Sequence, residues 1–388
     1  MSIREFKVSV DESKIDDLYK RIDLTRWPDE VNDEIWTLGT KKSFLKDAVQ
    51  YWRNDFDWKI HEKEINDFGS YKFKTKDDLE IHFIHSKSDS ENSIPILITH
   101  GWPGSVQEFF KIIPLLNKEI DGLSFDVICP SMPGYGFSDK PSQKGYDSKK
   151  IAEINHELMT ALGYKKYVVQ GGDWGSTVSK WSAELFPNEV LGLHLNLVIA
   201  FPPEKEDPME GVTDQEKVLL GRYAKYLELG SGYFEIQRTK PQTLGYSLND
   251  SPVGLAGWII EKFHSWTDDE RDKLIVSLDD VLSIVSLYWF SESITSSMRI
   301  YNENGREGFS KSKVEVPTGC ALFKNEIMLP PKAWAEEIYN LIHWEHYDGG
   351  HFAALEKPET LEKDIRPVSY THLRAHETLR YLVCRLLL

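Results

Sequence analysis

Asp173 stands at the tip of Gly171-Gly172-Asp173-Trp174-Gly175. Ahead of it, Tyr167-Val168-Val169-Gln170 reads as a buried strand. Behind it, Ser176 to Trp181 reads as the opening of a helix. A strand, a tight glycine-bounded turn and a helix form the sharp elbow that presents a nucleophile. The common motif has Ser at the tip; here the tip is Asp. A carboxylate can displace an oxygen or a halide from a saturated carbon and become esterified in doing so. The plain alternative is a turn-capping Asp in a Gly-rich bend. The rest of the chain must therefore supply a base, an oxyanion site and a cover.

Pro95 to Thr99 is a short apolar strand ending in His100-Gly101-Trp102-Pro103-Gly104-Ser105. A loop at this place can lend one backbone N–H to an oxyanion, and the residue after the nucleophile can lend the other. The Trp102 and Trp174 amides are the candidates, with Pro103 shaping the loop. Such donors are worth about 2.7–4 kcal/mol each. His100 reads as a structural histidine bracing the loop before a helix near Val106. Toward the C-terminus, His346-Tyr347-Asp348-Gly349-Gly350-His351 follows a short strand, Leu341 to Trp344. Glycines just ahead of His351 suit a loop that holds an imidazole over a sheet edge. Imidazole is the side chain whose ordinary pKa suits proton abstraction near neutrality. The order nucleophile, acid, histidine asks for a carboxylate between Asp173 and His351. Val314 to Phe323 reads as a strand, and Glu326 lies just beyond it. A carboxylate there can bond the imidazole Nδ1–H and stabilise the imidazolium. Asp348, Glu345 and Glu337 compete for that place, although Glu337 falls on an amphipathic helix and reads as solvated.

These side chains need a sheet to hold them. Strand–helix alternation runs from Ile94 to about Leu197 and predicts a mostly parallel sheet. Tyr71 to Lys74 and Leu79 to His85 read as the first strands. Asp11 to Ile22 and Lys41 to Arg53 read as helices of a leader that wraps the core. From about Ala200 to Asn302 the alternation stops and helices dominate, which places a cap after the sixth strand. A chain of 388 residues buries a large core, and 40% hydrophobic with 28% charged residues fits a globular protein. A net charge of -16 argues against nucleic acid and against anionic membrane surfaces. Cys129, Cys320 and Cys384 make no disulfide framework and sit at no metal-ligand spacing. The start of the chain is polar and no run approaches ~20 apolar residues, so neither a signal peptide nor a membrane anchor is expected.

Together these pieces resemble the microsomal-type epoxide hydrolases of the α/β-hydrolase superfamily. The resemblance rests on His100 to Ser105, Gly134-Tyr135-Gly136-Phe137-Ser138, Gly172 to Gly175 and Gly349 to Ala354. Leu24-Thr25-Arg26-Trp27-Pro28-Asp29, Tyr51-Trp52 and Phe56-Asp57-Trp58 match the family's leader region. It implies an α/β-hydrolase fold with a leader region at 1–90, core at 91–199, helical cap at 200–305 and core again at 306–365. It implies that Tyr233 and Tyr301 grip an epoxide oxygen from the cap, and it places the acid at Glu326. Asp173 would attack a ring carbon, and His351 would activate the water that hydrolyses the ester to a vicinal diol. Trp102, Trp174 and Phe352 would border the small apolar epoxide. No metal or organic cofactor is needed. A cytoplasmic enzyme is expected, with a homodimer left open. The nearest rival is a haloalkane dehalogenase, which shares the Asp–His machinery; a non-catalytic binding protein on the same fold is more remote.

After Ile365 the chain departs from the family pattern. Pro367 is expected to break the closing helix near its start. Residues 366–388 resemble cloning- or sequencing-derived read-through, the alternative being a divergent terminal helix. No function is assigned to His372, His376 or Cys384.

Overall fold

The computed structural model of the protein describes residues 2–31, 36–267, 273–307 and 309–369. Nine strands among the described residues join one sheet. They are β1 (Ile3–Glu5), β2 (Ser70–Lys74), β3 (Glu80–Ser86), β4 (Ile94–Thr99), β5 (Phe125–Pro130), β6 (Tyr167–Gly171), β7 (Val190–Leu195), β8 (Val314–Phe323) and β9 (Tyr339–Tyr347). Across the sheet they lie in the order β1-β2-β3-β5-β4-β6-β7-β8-β9. The pairs from β1 to β5 are antiparallel. Every pair from β5 through β9 is parallel. β6 is buried at every position. A central parallel strand is covered on both faces, which is why Tyr167 to Val169 read as apolar with no polar alternation.

The strand before Glu326 has the expected ends, Val314 and Phe323. Pro317 lies at a shift in its register with β9, a place where a strand tolerates a missing N–H. Two elements escaped the sequence reading: β1 and the helix Trp58–Asp67. β1 is only three residues long and mostly exposed, too short for a periodic signal. Because β1 adds a strand, the helical stretch follows the seventh strand rather than the sixth. It comprises helices such as Asp214–Leu229, Gly232–Thr239, Pro252–Ser265, Leu278–Phe290 and Arg299–Glu307.

The leader helices grip these inserted helices more than they wrap the sheet. In the helix Lys42–Asn54, Ala48, Val49 and Trp52 share the buried face. The Trp52 indole N–H donates to Ser286 Oγ at 2.8 Å, wholly inside the protein. Thr40 Oγ1 donates to the Gly257 carbonyl at 2.7 Å. The Trp36 ring stacks on His264 with centroids 3.9 Å apart.

The closing helix corrects one expectation. It runs over 358–369, straight through Pro367. Proline removes one helical hydrogen bond and favours a bend, but tertiary contacts here hold the turn. The Arg366 guanidinium donates to the carbonyls of Leu123 at 2.6 Å and of Leu115 and Lys118 at 3.0 Å. Ile365 and Val368 on either side are buried. Residues 370–388, with the rest of the read-through reading, lie outside the described residues. No helix among the described residues is long and apolar enough to cross a membrane.

Trp52→Ala deletes the largest leader side chain in this contact and strands the Ser286 hydroxyl. Denaturant unfolding should show a loss of about 3–5 kcal/mol. A loss under about 1 kcal/mol would mean the leader does not hold the inserted helices.

Candidate active site

The candidate side chains sit beyond the carboxyl ends of parallel strands, where open α/β sheets place their ligands. Trp102 follows β4, Asp173 follows β6, Glu326 follows β8 and His351 follows β9. Asp173 has φ 49° and ψ -132°, a backbone setting that non-glycine residues avoid. The elbow needs Gly175, since a Cβ there would lie 1.8 Å from the Thr99 carbonyl oxygen. Strain at the tip turns the Asp173 carboxylate away from the sheet and toward its partners.

Asp173 Oδ1 accepts from the Trp102 backbone N–H at 2.8 Å. Its Oδ2 lies 3.4 Å from His351 Nε2. His351 Nδ1–H donates to Glu326 Oε1 at 2.6 Å, and Glu326 is 1% exposed. The His351 backbone N–H donates to the Trp266 carbonyl at 2.8 Å, so the inserted helices fix the imidazole loop. Burial works against a charge on His351, but Glu326 first and then Asp173 outweigh it and raise its pKa well above the ordinary value. The competing acids fall away. Asp348 is exposed beside Lys324, Glu345 is exposed, and Glu337 pairs with Lys205 at the surface. His100 is the structural histidine expected: its Nδ1–H donates to the Gly101 carbonyl and its Nε2 accepts from the Met132 N–H. Burial lowers its pKa to about 4.

Two cavities meet at Asp173. The larger, about 230 Å³, is apolar, with Trp174, Leu197, Phe234, Phe309 and Met328 in its wall. Tyr233 and Tyr301 reach it from the inserted helices Gly232–Thr239 and Arg299–Glu307. The Tyr301 ring stands edge-on to Trp102 and Trp174, and Tyr233 stacks on Trp102 at 5.6 Å. The Tyr301 hydroxyl has no hydrogen-bond partner among the described residues. Burial raises the pKa of both phenols, so both keep their protons at neutral pH. The smaller cavity, about 20 Å³, has room for one water. His100, Gly101, Trp102, Glu108, Asp173 and His351 border it.

Phe352 lies beside Asp173 and His351. It borders the smaller cavity and not the larger one, because its ring stacks on Phe263 at 4.0 Å. Trp102 likewise borders the smaller cavity and backs the two tyrosines. Trp174 opens the elbow helix, at a position whose N–H has no partner within the helix.

Two side chains near the site escaped the sequence reading. Glu108 closes the short 3₁₀ turn Val106–Phe109, where a regular helix was expected. Its Oε1 accepts from the Ser105 N–H at 3.0 Å, a capping-box contact legible from the Ser-x-x-Glu spacing. Burial raises its pKa to about 8. A Cβ on Gly104 would lie 1.3 Å from Glu108 Oε1, so only glycine leaves room for that carboxyl. The second is Tyr226, whose hydroxyl lies 2.9 Å from that of Tyr233. Nothing in the local sequence singles it out among 17 tyrosines.

The parallel sheet, the strained elbow carrying the acid and the histidine loop after the last strand define an α/β-hydrolase. A family model for the alpha/beta hydrolase fold matches residues 94–227, and one for the epoxide hydrolase N terminus matches residues 3–109. A relative from Stigmatella aurantiaca is 44% identical over 96% of this chain and 86% of its own length. Epoxide hydrolase 1 of Sus scrofa is 42% identical over 94% of this chain and 88% of its own. The crystal structure of juvenile hormone epoxide hydrolase from the silkworm Bombyx mori superposes with a TM-score of 0.89 at 31% identity, covering 97% of this chain and 96% of that one. The chain belongs to the epoxide hydrolase family. The haloalkane dehalogenase reading is not favoured.

The raised pKa of His351 has a consequence for stability. A group whose pKa rises on folding adds stability that is complete below its unfolded value, about 6.5 for imidazole, and is lost as pH climbs through the folded value. Unfolding free energy should therefore fall as pH is raised above neutrality. Glu326→Gln removes the larger anionic partner and should flatten that fall. An alkaline profile identical in the two proteins would show that Glu326 does not hold the imidazole's proton.

Proposed function

We propose that this epoxide hydrolase works in two steps through an ester on Asp173. The observation that carries the reading is the Asp173 carboxylate itself. It is held by the Trp102 N–H on one oxygen, faces His351 on the other, and borders both cavities.

In the first step Asp173 Oδ2 attacks one ring carbon of an apolar epoxide lodged in the larger cavity. The carbon–oxygen bond breaks, and the departing oxygen takes a proton from Tyr233 or Tyr301. An alkoxide is a poor leaving group, so a phenol donor at that oxygen lowers the barrier. The helices over 200–305 act as the cap that brings these phenols to the site. Trp174 lines the epoxide's side of the nucleophile.

Esterification removes the negative charge of Asp173. His351 then keeps only Glu326 as an anionic neighbour, and its hold on a proton weakens. It gives that proton up to solvent, and the neutral imidazole can then take a proton from a water in the smaller cavity. That water attacks the Asp173 Cγ, not the substrate carbon. The Trp102 N–H, already 2.8 Å from Oδ1, stabilises the tetrahedral oxyanion together with the Trp174 N–H. Collapse breaks the bond between Cγ and the substrate-bound ester oxygen, which leaves with the proton held by His351 as the second hydroxyl of the vicinal diol, and the new Asp173 carboxyl returns its own proton to His351 as the carboxylate is restored.

A single turnover in heavy-oxygen water separates this path from direct attack by water. The diol of the first turnover should carry the enzyme's oxygen, and the label should enter Asp173. Solvent label in that first diol would rule the ester out. His351→Gln should accumulate an adduct on Asp173 visible by mass spectrometry, while Asp173→Ala forms none. Tyr301→Phe should slow ester formation roughly 100-fold and leave ester hydrolysis nearly unchanged.

A further inference from the structure

Tyr233 and Tyr301 reach the larger cavity in different states. The Tyr301 hydroxyl is buried without a partner among the described residues, whereas Tyr233 already has Tyr226 at 2.9 Å. A phenol holds one proton. If Tyr233 spends that proton on Tyr226, it has none for a substrate oxygen. A productive Tyr233 must therefore accept from Tyr226 and donate onward.

Tyr226 is built differently from its neighbour. Its helix, Asp214–Leu229, buries no residue completely, and Tyr226 is half-buried. Both phenols border the larger cavity and an outer groove of about 650 Å³, but Tyr233 is buried and Tyr226 is the more exposed of the two. Arg222, Lys225, Glu261 and Lys262 line that groove. The Lys262 Nζ lies 4.3 Å from the Tyr233 ring centroid. Tyr226 thus joins a dry cavity to a wet, cation-lined surface.

We propose that Tyr226 is a positioning residue that resupplies Tyr233 with the proton given to the opening ring, drawing its own replacement from water in the outer groove. The proposal rests on Tyr233 being a donor to the epoxide oxygen. The ring's carbon–oxygen bond breaks and the oxygen takes the Tyr233 proton. The Tyr233 oxygen takes the Tyr226 proton. The Tyr226 oxygen takes a proton from groove water, and the hydroxide left behind is neutralised in bulk solvent. Ester hydrolysis later returns one proton, so the cycle balances. The direction also fits the phenols' own acidity. Burial raises both, but their mutual hydrogen bond pushes Tyr233 up and Tyr226 down, so a negative charge settles on Tyr226 rather than on Tyr233. Such a chain strengthens the hydrogen bond Tyr233 offers, because each link polarises the next.

The test is Tyr226→Phe in the full chain, followed by rapid mixing with styrene oxide. Ester formation should slow about tenfold, a hydrogen bond's worth, with ester hydrolysis and thermal midpoint unchanged. The solvent isotope response distinguishes a relay from mere packing. In mixed light and heavy water, wild-type ester formation should bend away from a straight line, as more than one proton moves, and Tyr226→Phe should follow a straight line. In a Tyr233→Phe background, Tyr226→Phe should add nothing. If Tyr233→Phe slows ester formation while Tyr226→Phe leaves its rate and isotope response untouched, the relay fails and the donor role of Tyr233 stands. If Tyr233→Phe itself has no effect, both ideas fall together.

Discussion

The carboxylate at position 173 is the constraint from which the rest of the site follows. Three carboxyl groups, Asp173, Glu326 and Glu108, gather around one imidazole at a cavity with room for one water. One cation cannot balance three anions at low dielectric. The structure resolves this by position. His351 stands between Asp173 and Glu326 and keeps its proton. Glu108, with only a backbone N–H for company, is held toward its neutral form by burial. The net charge around Asp173 is therefore that of one carboxylate, and the proposed ester would remove it and change the proton affinity of everything nearby.

That balance depends on an arrangement no single segment supplies. The imidazole loop follows the last strand, yet its backbone is tied to Trp266 at the end of an inserted helix. That helix is in turn held by the leader through Thr40 and Trp36. The leader is thus mechanically connected to the histidine although it contributes no side chain to either cavity at Asp173. A loosened leader would shift Trp266, and with it the 3.4 Å separation between His351 and Asp173.

Much of this was legible because the chemistry is written in short local patterns. Gly175 announces the elbow, since the turn brings its Cα against the Thr99 carbonyl, and that crowding shows as a glycine in the sequence. The strand Val314–Phe323 shows as an apolar run with a carboxylate three residues past its end. Tyr233 and Tyr301 were legible only through family resemblance, because the contact that joins them crosses from one inserted helix to another. The grip of the leader is also long-range, and Tyr226 meets Tyr233 across the break between two consecutive helices, where helical periodicity carries no trace of the contact. The direction of the Phe352 ring was not legible, and Pro367 misled. The ring next to the histidine stacks away from the larger cavity on Phe263, and the proline sits in a turn that Arg366 pins to three carbonyls.

In the proposed reaction the two cavities would keep the epoxide and the hydrolytic water apart. Phenol hydrogen bonds to a strained oxygen are strongest where water cannot compete, which favours the apolar walls of the larger cavity. Hydrolysis of an ester needs water, but only one molecule, delivered to Cγ from the side of the base. A smaller cavity of about 20 Å³ bounded by His351 and Glu108 meets that need without wetting the epoxide. Gly104 is part of the same device: any side chain there would occupy the place of the Glu108 carboxyl. The glycine, the Glu108 carboxyl and the elbow aspartate therefore constrain one another, and in the proposed reaction the polarity difference across Asp173 would order the two steps.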